Sequence, residues 1–280
     1  MQVGGTGSPL FSAGTQNTTN ALKKTNRQLQ KILERLSTAQ RINRASDDAA
    51  GLGVSEMLRT NIRGYKMASQ NVQDAMAALD ITDGGANEIS SMLQRQRELA
   101  VASRNSTLTD NDRQSLDAEY QALTQEIDRI ARSSQYNRQN TSNGTDLASG
   151  TAVVQAGSEA GDQITLPQID FSAATSGMAG TTIATEANAQ SAFTAIDNAL
   201  QSLNRQRSTV GATINRFSSA INNLDTAMVN TQAAESVLRD QDMAQGMVEL
   251  VRRQLLQEGG MSAFQRFNEL SRNHIMGILG

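Results

Sequence analysis

The stretch FTAIDNALQSLNRQRSTVGATINRFSSAINNLDTAMVNT, residues 193–231, decides the fold. Its apolar residues Phe193, Ile196, Leu200, Leu203, Val210, Ile214, Phe217, Ile221, Leu224 and Met228 fall three and four residues apart in alternation. Arg207 and Thr231 sit in the same series and are its polar members. That spacing is the mark of a coiled-coil helix, on the order of 55–60 Å long at ~1.5 Å per residue. The N-terminal half carries similar stripes: Leu58, Ile62, Tyr65, Ser69, Val72, Met76 and Leu79, then Leu116, Tyr120, Leu123, Ile127 and Ile130. Between the halves lies a Gly-, Ser- and Thr-rich stretch without such a period. The pattern predicts a mainly α chain, a long antiparallel coiled-coil or helical-bundle rod with a small β-hairpin region.

Composition supports this. Only 38% of the 280 residues are hydrophobic and 3% aromatic, lean for a compact globule but sufficient for a thin bundle with little deep interior. The two prolines, Pro9 and Pro167, leave an uninterrupted run between them, as long helices require. Net charge is −3 with both signs interspersed, so no basic stripe marks a nucleic-acid surface. Absence of cysteine excludes disulfides and thiolate metal sites. No stretch approaches the ~20 apolar residues of a membrane span, and the N-terminus lacks the pattern of a cleaved secretory signal.

Along the chain, residues 1–14 read as flexible and a helix runs from about Thr18 to Ala39. Ser46 or Asp47 is the expected N-cap of the next helix, which meets a bend or a weak spot at Asp83-Gly84-Gly85 and resumes to about Arg104. Thr109-Asp-Asn-Asp112 opens a shorter helix as a capping box. Ala152-Val153-Val154-Gln155 and Gln163-Ile164-Thr165-Leu166 flank a turn from Gly157 to Asp162 and predict a hairpin near 151–167. A linker over 171–188 precedes the long helix, and a terminal helical segment spans Ser236 to Ile278, hinged at Gly259-Gly260.

Catalysis has little to work with. The single histidine, His274, permits neither an HExxH zinc site nor a Ser-His-Asp triad within one chain. Asp47-Asp48 reads as a helix cap, and Asp110-Asn-Asp112 lacks the glycine and closing glutamate of a calcium loop. No cofactor, metal or enzymatic activity is expected.

Several long motifs resemble those of the bacterial flagellins. They are Glu34 to Gly51 (ERLSTAQRINRASDDAAG), Leu93 to Val101 (LQRQRELAV), Glu126-Ile-Asp-Arg-Ile130, Gln135-Tyr-Asn137, and Arg207 to Leu224. The resemblance implies a structural subunit that self-polymerises into the helical flagellar filament, with a hook–filament junction adaptor as the alternative. It implies a terminal coiled-coil domain of residues 1–47 and 241–280 lining the filament's inner tube, around which 48–240 form the helical core domain. Subunit packing is expected at Leu22, Leu29, Leu36, Leu250 and Leu255. Arg95, Leu99 and Glu119 stand where flagellins are contacted by the host Toll-like receptor that senses them. Further implied partners are other flagellins, an export chaperone and the type III export apparatus, and the filament cap and hook-associated proteins. The implied location is the secreted, extracellular flagellum. The outer domains that many flagellins insert in the middle are absent, and Arg252, Arg253, Glu258, Arg266, Glu269, Arg272 and His274 depart from the family's Gln/Ala-rich tail.

Overall fold

The computed structural model describes residues 9–172 and 176–279, and the side chains of 16–172 and 177–270. Five long helices are connected in the order α1 (Pro9–Thr38), α2 (Ala49–Ser103), α3 (Asp110–Ser133), α4 (Glu186–Arg239) and α5 (Met243–Leu279). Two antiparallel hairpins lie between α3 and α4: β1 (Gln135–Tyr136) with β2 (Gln139–Asn140), and β3 (Val153–Gln155) with β4 (Gln163–Thr165). Short 3₁₀ turns cover Asp146–Ala148 and Ser176–Met178. The chain divides into two compact units, residues 1–59 with 232–280 and residues 60–231.

Unit 60–231 holds a continuous core. On α2 the buried residues Ala68, Val72, Ala75, Leu79, Thr82, Ala86, Ile89, Leu93, Gln96, Ala100 and Ser103 follow one another alternately four and three apart without a slip, with Ala78 and Leu99 buried beside that line. On α4 large buried side chains recur every seven residues, at Ile196, Leu203, Val210, Phe217 and Leu224. Tyr120, Ile127 and Ala131 of α3 complete the seam, and Val154, Ile164, Leu166, Ile169 and Phe171 bring the hairpin region onto it. Helix α2 continues without a break through Gly84-Gly85. The seam keeps its spacing through the pair, and Gly85 lies beneath the end of α3, where an added Cβ would stand 2.9 Å from Ser134 Oγ. Close approach, not flexibility, accounts for that glycine.

Arg207, the polar break in the α4 stripe, sends its guanidinium to Asp83 in a two-point contact, Nε to Oδ1 at 2.9 Å and Nη2 to Oδ2 at 3.3 Å. Thr109 caps α3 reciprocally with Asp112, as expected, and its hydroxyl and N–H hold the Asp112 carboxyl below its ordinary pKa. Arg113 is buried. It donates to the carbonyls of Ser103, Leu108 and Asn105, so one guanidinium ties off the C-terminal end of α2 and the loop beyond it.

Some boundaries differ from expectation. Helix α1 begins at Pro9, a residue suited to a first helical turn, so of the segment read as flexible residues 9–14 are helical; residues 1–8 lie outside the described residues. Asp48, not Ser46 or Asp47, caps α2, accepting the Gly51 N–H at 2.9 Å. The terminal helix starts at Met243, because the chain turns at Asp240 before it. It passes unbroken through Gly259-Gly260.

Candidate assembly surface

In the unit formed by 1–59 and 232–280, α1 and α5 pack against each other in antiparallel register. Leu36 faces Gly246, Gln28 faces Arg253, and Leu22 faces Gly260. The α5 side of this seam is Gly246, Leu250, Arg253, Gln257, Gly260, Phe264 and Phe267, again alternating four and three. Two of these are glycines because leucine side chains fill the space a Cβ would take: 2.7 Å to Leu36 Cδ2 at Gly246 and 3.2 Å to Leu22 Cδ2 at Gly260. Between them Arg253 Nη1 donates to Gln28 Oε1 at 2.8 Å, while its buried Nε has no hydrogen-bond partner.

The outer surface of α5 carries a set of large apolar residues. Met243, Met247, Val248, Val251, Leu255, Leu256, Met261 and Leu270 are all exposed, Val248 at 70% and Leu255 at 63%. Leu33, Val54, Met57 and Val237 extend the exposed apolar set within the same unit. Against these, its described hydrophobic residues buried from solvent are two, Ile32 and Ile42. Isolated surface leucines are ordinary, but eight large apolar residues exposed on one helix are more than that. Helix α5 sets Gly246, Arg253, Gln257 and Gly260 among Leu250, Phe264 and Phe267 toward its own partner, and leaves eight large apolar residues toward solvent.

The turns joining the helices of this unit are held by polar contacts. Arg41 closes the end of α4: its N–H donates to Arg239 O at 2.7 Å and its Nη2 to Leu238 O at 2.7 Å. Gln241 N–H returns to Ala39 O, and Arg239 reaches Glu56 Oε1 at 2.8 Å and Gln40 Oε1 at 3.2 Å. Lys31 meets the largely buried Asp47 carboxylate at 2.5 Å, and the N–H groups of Asn43 and Arg44 point at the same carboxylate. The Lys31 hydrogen bond, aided by those two N–H donors, holds the Asp47 carboxyl below its ordinary pKa. Glu34 pairs with Arg44 at 2.9 Å. Glu34, Ala39, Gln40, Arg41, Asn43, Arg44 and Asp47 of this set lie in the Glu34–Gly51 motif, so its chemistry is that of a turn.

Of the residues singled out for subunit packing, Leu22, Leu29, Leu36 and Leu250 are half-buried, with Leu22 and Leu36 occupied by α5 of the same chain; Leu255 is exposed. Stripe reading missed Val248, Val251 and Leu256 because apolar residues on two faces leave no single period to detect. The seam glycines were legible in principle, since Gly246, Arg253 and Gly260 share one heptad position. In unit 60–231, Arg95 pairs with Glu119 at 2.9 Å and with Glu98 at 3.0 Å on an exposed surface, whereas Leu99 is only 3% exposed.

Residues 12–146 match the family profile of the bacterial flagellin N-terminal helical region, and 193–276 that of the bacterial flagellin C-terminal helical region. The chain is 41% identical over 242 residues to a flagellin of Halalkalibacterium halodurans, covering 86% of this chain and 88% of that protein. The chain belongs to the bacterial flagellins. A flagellin of Bacillus subtilis is 36% identical over 288 residues, with 92% of this chain and 94% of the relative covered. The crystal structure of Bacillus cereus flagellin aligns with a TM-score of 0.51 at 35% identity, over 55% of this chain and 88% of that one. As a flagellin the protein is a structural component of the flagellar filament, an extracellular appendage, and not an enzyme. The family self-polymerises into that filament. Among the described residues no helix is long and apolar enough to cross a membrane.

Proposed function

We propose that this flagellin polymerises by laying the outer face of α5 against further copies of the chain, forming the inner tube from its terminal helices. The carrying observation is the contrast within unit 1–59/232–280, two buried hydrophobic residues against a dozen large exposed ones among those described. Burying a side chain such as Leu255 or Val248 is worth ~1.5–3 kcal/mol, and several together outweigh the ordering cost of the helices that carry them. Heterologous contacts that do not close into a ring propagate an open helix.

Family membership supports the rest of the reading. Subunits leave the cell through the flagellar type III apparatus with a dedicated chaperone, and add to the filament beneath a cap, beyond the hook-associated proteins. Other flagellins co-assemble where present. Leu22, Leu29, Leu36 and Leu250 shape the tube by setting the α1–α5 pair, and Leu255 supplies contact. Of the trio Arg95, Leu99 and Glu119, the buried Leu99 supports the fold beneath, and contact with a Toll-like receptor falls to the Arg95–Glu119 pair.

The test is electron microscopy of full-length protein seeded with filament fragments. Wild type grows long tubes of uniform width. Val248→Asp and Leu255→Asp, which disturb no seam contact, abolish growth while leaving helix content unchanged. Normal tubes from the doubly substituted chain would remove the basis of the proposal.

A further inference from the structure

The chain has no cysteine and eleven methionines, so thioethers are its only sulfur. They are not distributed as core filler. Met178 is buried and Met76 and Met92 pack partly against the core of unit 60–231. On α5, by contrast, Met243, Met247 and Met261 are 45%, 52% and 49% exposed. Met243 and Met261 are five helical turns apart and lie on one line of the helix, and Met247 is one turn beyond Met243, offset by about 40°. This row borders the Val248, Val251 and Leu255 face on one side and the Gly246–Gly260 seam on the other. It lies where an incoming copy would have to seat, and where its thioethers are open to solvent until one does.

We infer that Met243, Met247 and Met261 form a peroxide-sensitive control on assembly, resting on the reading of α5 as the polymerising face. Hydrogen peroxide transfers one oxygen to the thioether sulfur. The sulfur gives up two electrons and becomes a sulfoxide, and the peroxide leaves as water, so no further reactant is needed. The product replaces an apolar, flexible contact with a strongly polar group that has no donor waiting for it in an aliphatic interface. A buried sulfoxide without a partner therefore raises the critical concentration for polymerisation by roughly ten- to a hundredfold. Oxidation acts on the free subunit alone, because assembly covers the row. Methionine sulfoxide reductases reverse the change, which makes it a control and not only damage.

The experiment compares full-length monomers treated with hydrogen peroxide, untreated monomers, and preformed filaments treated identically. Sulfoxide is located by peptide mass spectrometry and assembly is measured by sedimentation after seeding. Expected are oxidation at the three positions in monomers but not in filaments, loss of seeded growth, and its recovery after reductase treatment. The variant carrying Met243→Leu, Met247→Leu and Met261→Leu keeps volume and polarity and should polymerise after peroxide, even though Met57 and Met67 still oxidise. Should that triple variant not assemble untreated, recovery of the wild type by reductase decides the matter. Oxidised wild type that grows as well as untreated protein overturns the control. Untreated wild type that never sediments overturns the assembly reading itself, and the control with it.

Discussion

Gln96 offers a sharp test of how the core of unit 60–231 is built. Its side chain is fully buried at a seam position of α2. Nε2 donates to Tyr120 O at 3.1 Å and to Thr124 Oγ1 at 2.8 Å, while Oε1 is buried with no hydrogen-bond partner. Replacing Gln96 with Met keeps length and removes both donors and the orphaned acceptor. The lost bonds strand nothing, because Thr124 Oγ1 already donates to Tyr120 O at 3.0 Å. Two neutral hydrogen bonds have a net worth of about 1 kcal/mol each. Against them stand the ~1–3 kcal/mol that a buried unpaired amide oxygen costs and the ~1.5–3 kcal/mol gained by burying an apolar side chain in its place. The balance favours Gln96→Met by about 2 kcal/mol, or roughly 4–8 °C in the melting temperature of a unit of this size. All three tyrosines, Tyr65, Tyr120 and Tyr136, belong to this unit and the chain has no tryptophan, so tyrosine fluorescence reports its unfolding without interference from the terminal helices. Gln96→Glu is the control of opposite sign: it places a carboxylate against Tyr120 O and should destabilise by about 3 kcal/mol or more. An unchanged or lower melting temperature for Gln96→Met would refute the reasoning, showing that the two donor bonds outweigh the orphaned oxygen.

Other expectations are as direct. Gly211→Ala, where an added Cβ meets nothing within 4 Å, should stabilise α4 by about 1 kcal/mol in thermal denaturation. Gly246→Ala gains the same propensity but drives Leu36 out of its seat, and should destabilise the α1–α5 pair by about 1 kcal/mol, read as faster amide exchange in both helices. The Asp47 carboxyl has a folded pKa below its unfolded value, so its contribution is present above the unfolded value near about 3.9 and lost as pH falls through the folded one. Asp47→Asn should therefore lower stability at neutral pH and flatten the acid limb, as followed by far-UV circular dichroism from pH 7 to 2. A double-mutant cycle on Arg207 and Asp83 should return a coupling of only about 0.5–1 kcal/mol, because the side chains are 30% and 42% exposed.

Much of the fold was legible because heptad spacing is a long-range signal written in residue type. The α4 stripe, the Thr109 capping box and the β3–β4 hairpin needed no tertiary information. The paired glycines misled for a physical reason: Gly85 and Gly260 carry the usual sign of a flexible joint, yet both are places where another side chain presses on a helix. The β1–β2 hairpin went unseen because it is two residues a side, and its turn sets Asn137 and Arg138 at φ 49° and 65°, where arginine is an uncommon occupant. Leu250 and Leu255 looked equivalent in sequence, but α5 turns the first toward α1 and the second outward. Only coordinates separate a seam from a contact face when both are apolar.

The unbroken α2 seam has a mechanical side. Contacts every 3.5 residues do not match a straight helix of 3.6, and over the five heptads from Ala68 to Ser103 the mismatch accumulates to about 100°. Helices that stay in register over that distance must wind around their neighbours in the left-handed sense. Extension and torsion are then a single degree of freedom: pulling on such a bundle unwinds it, and turning it one way tightens what turning it the other way loosens. A subunit packed like this bears load as torque.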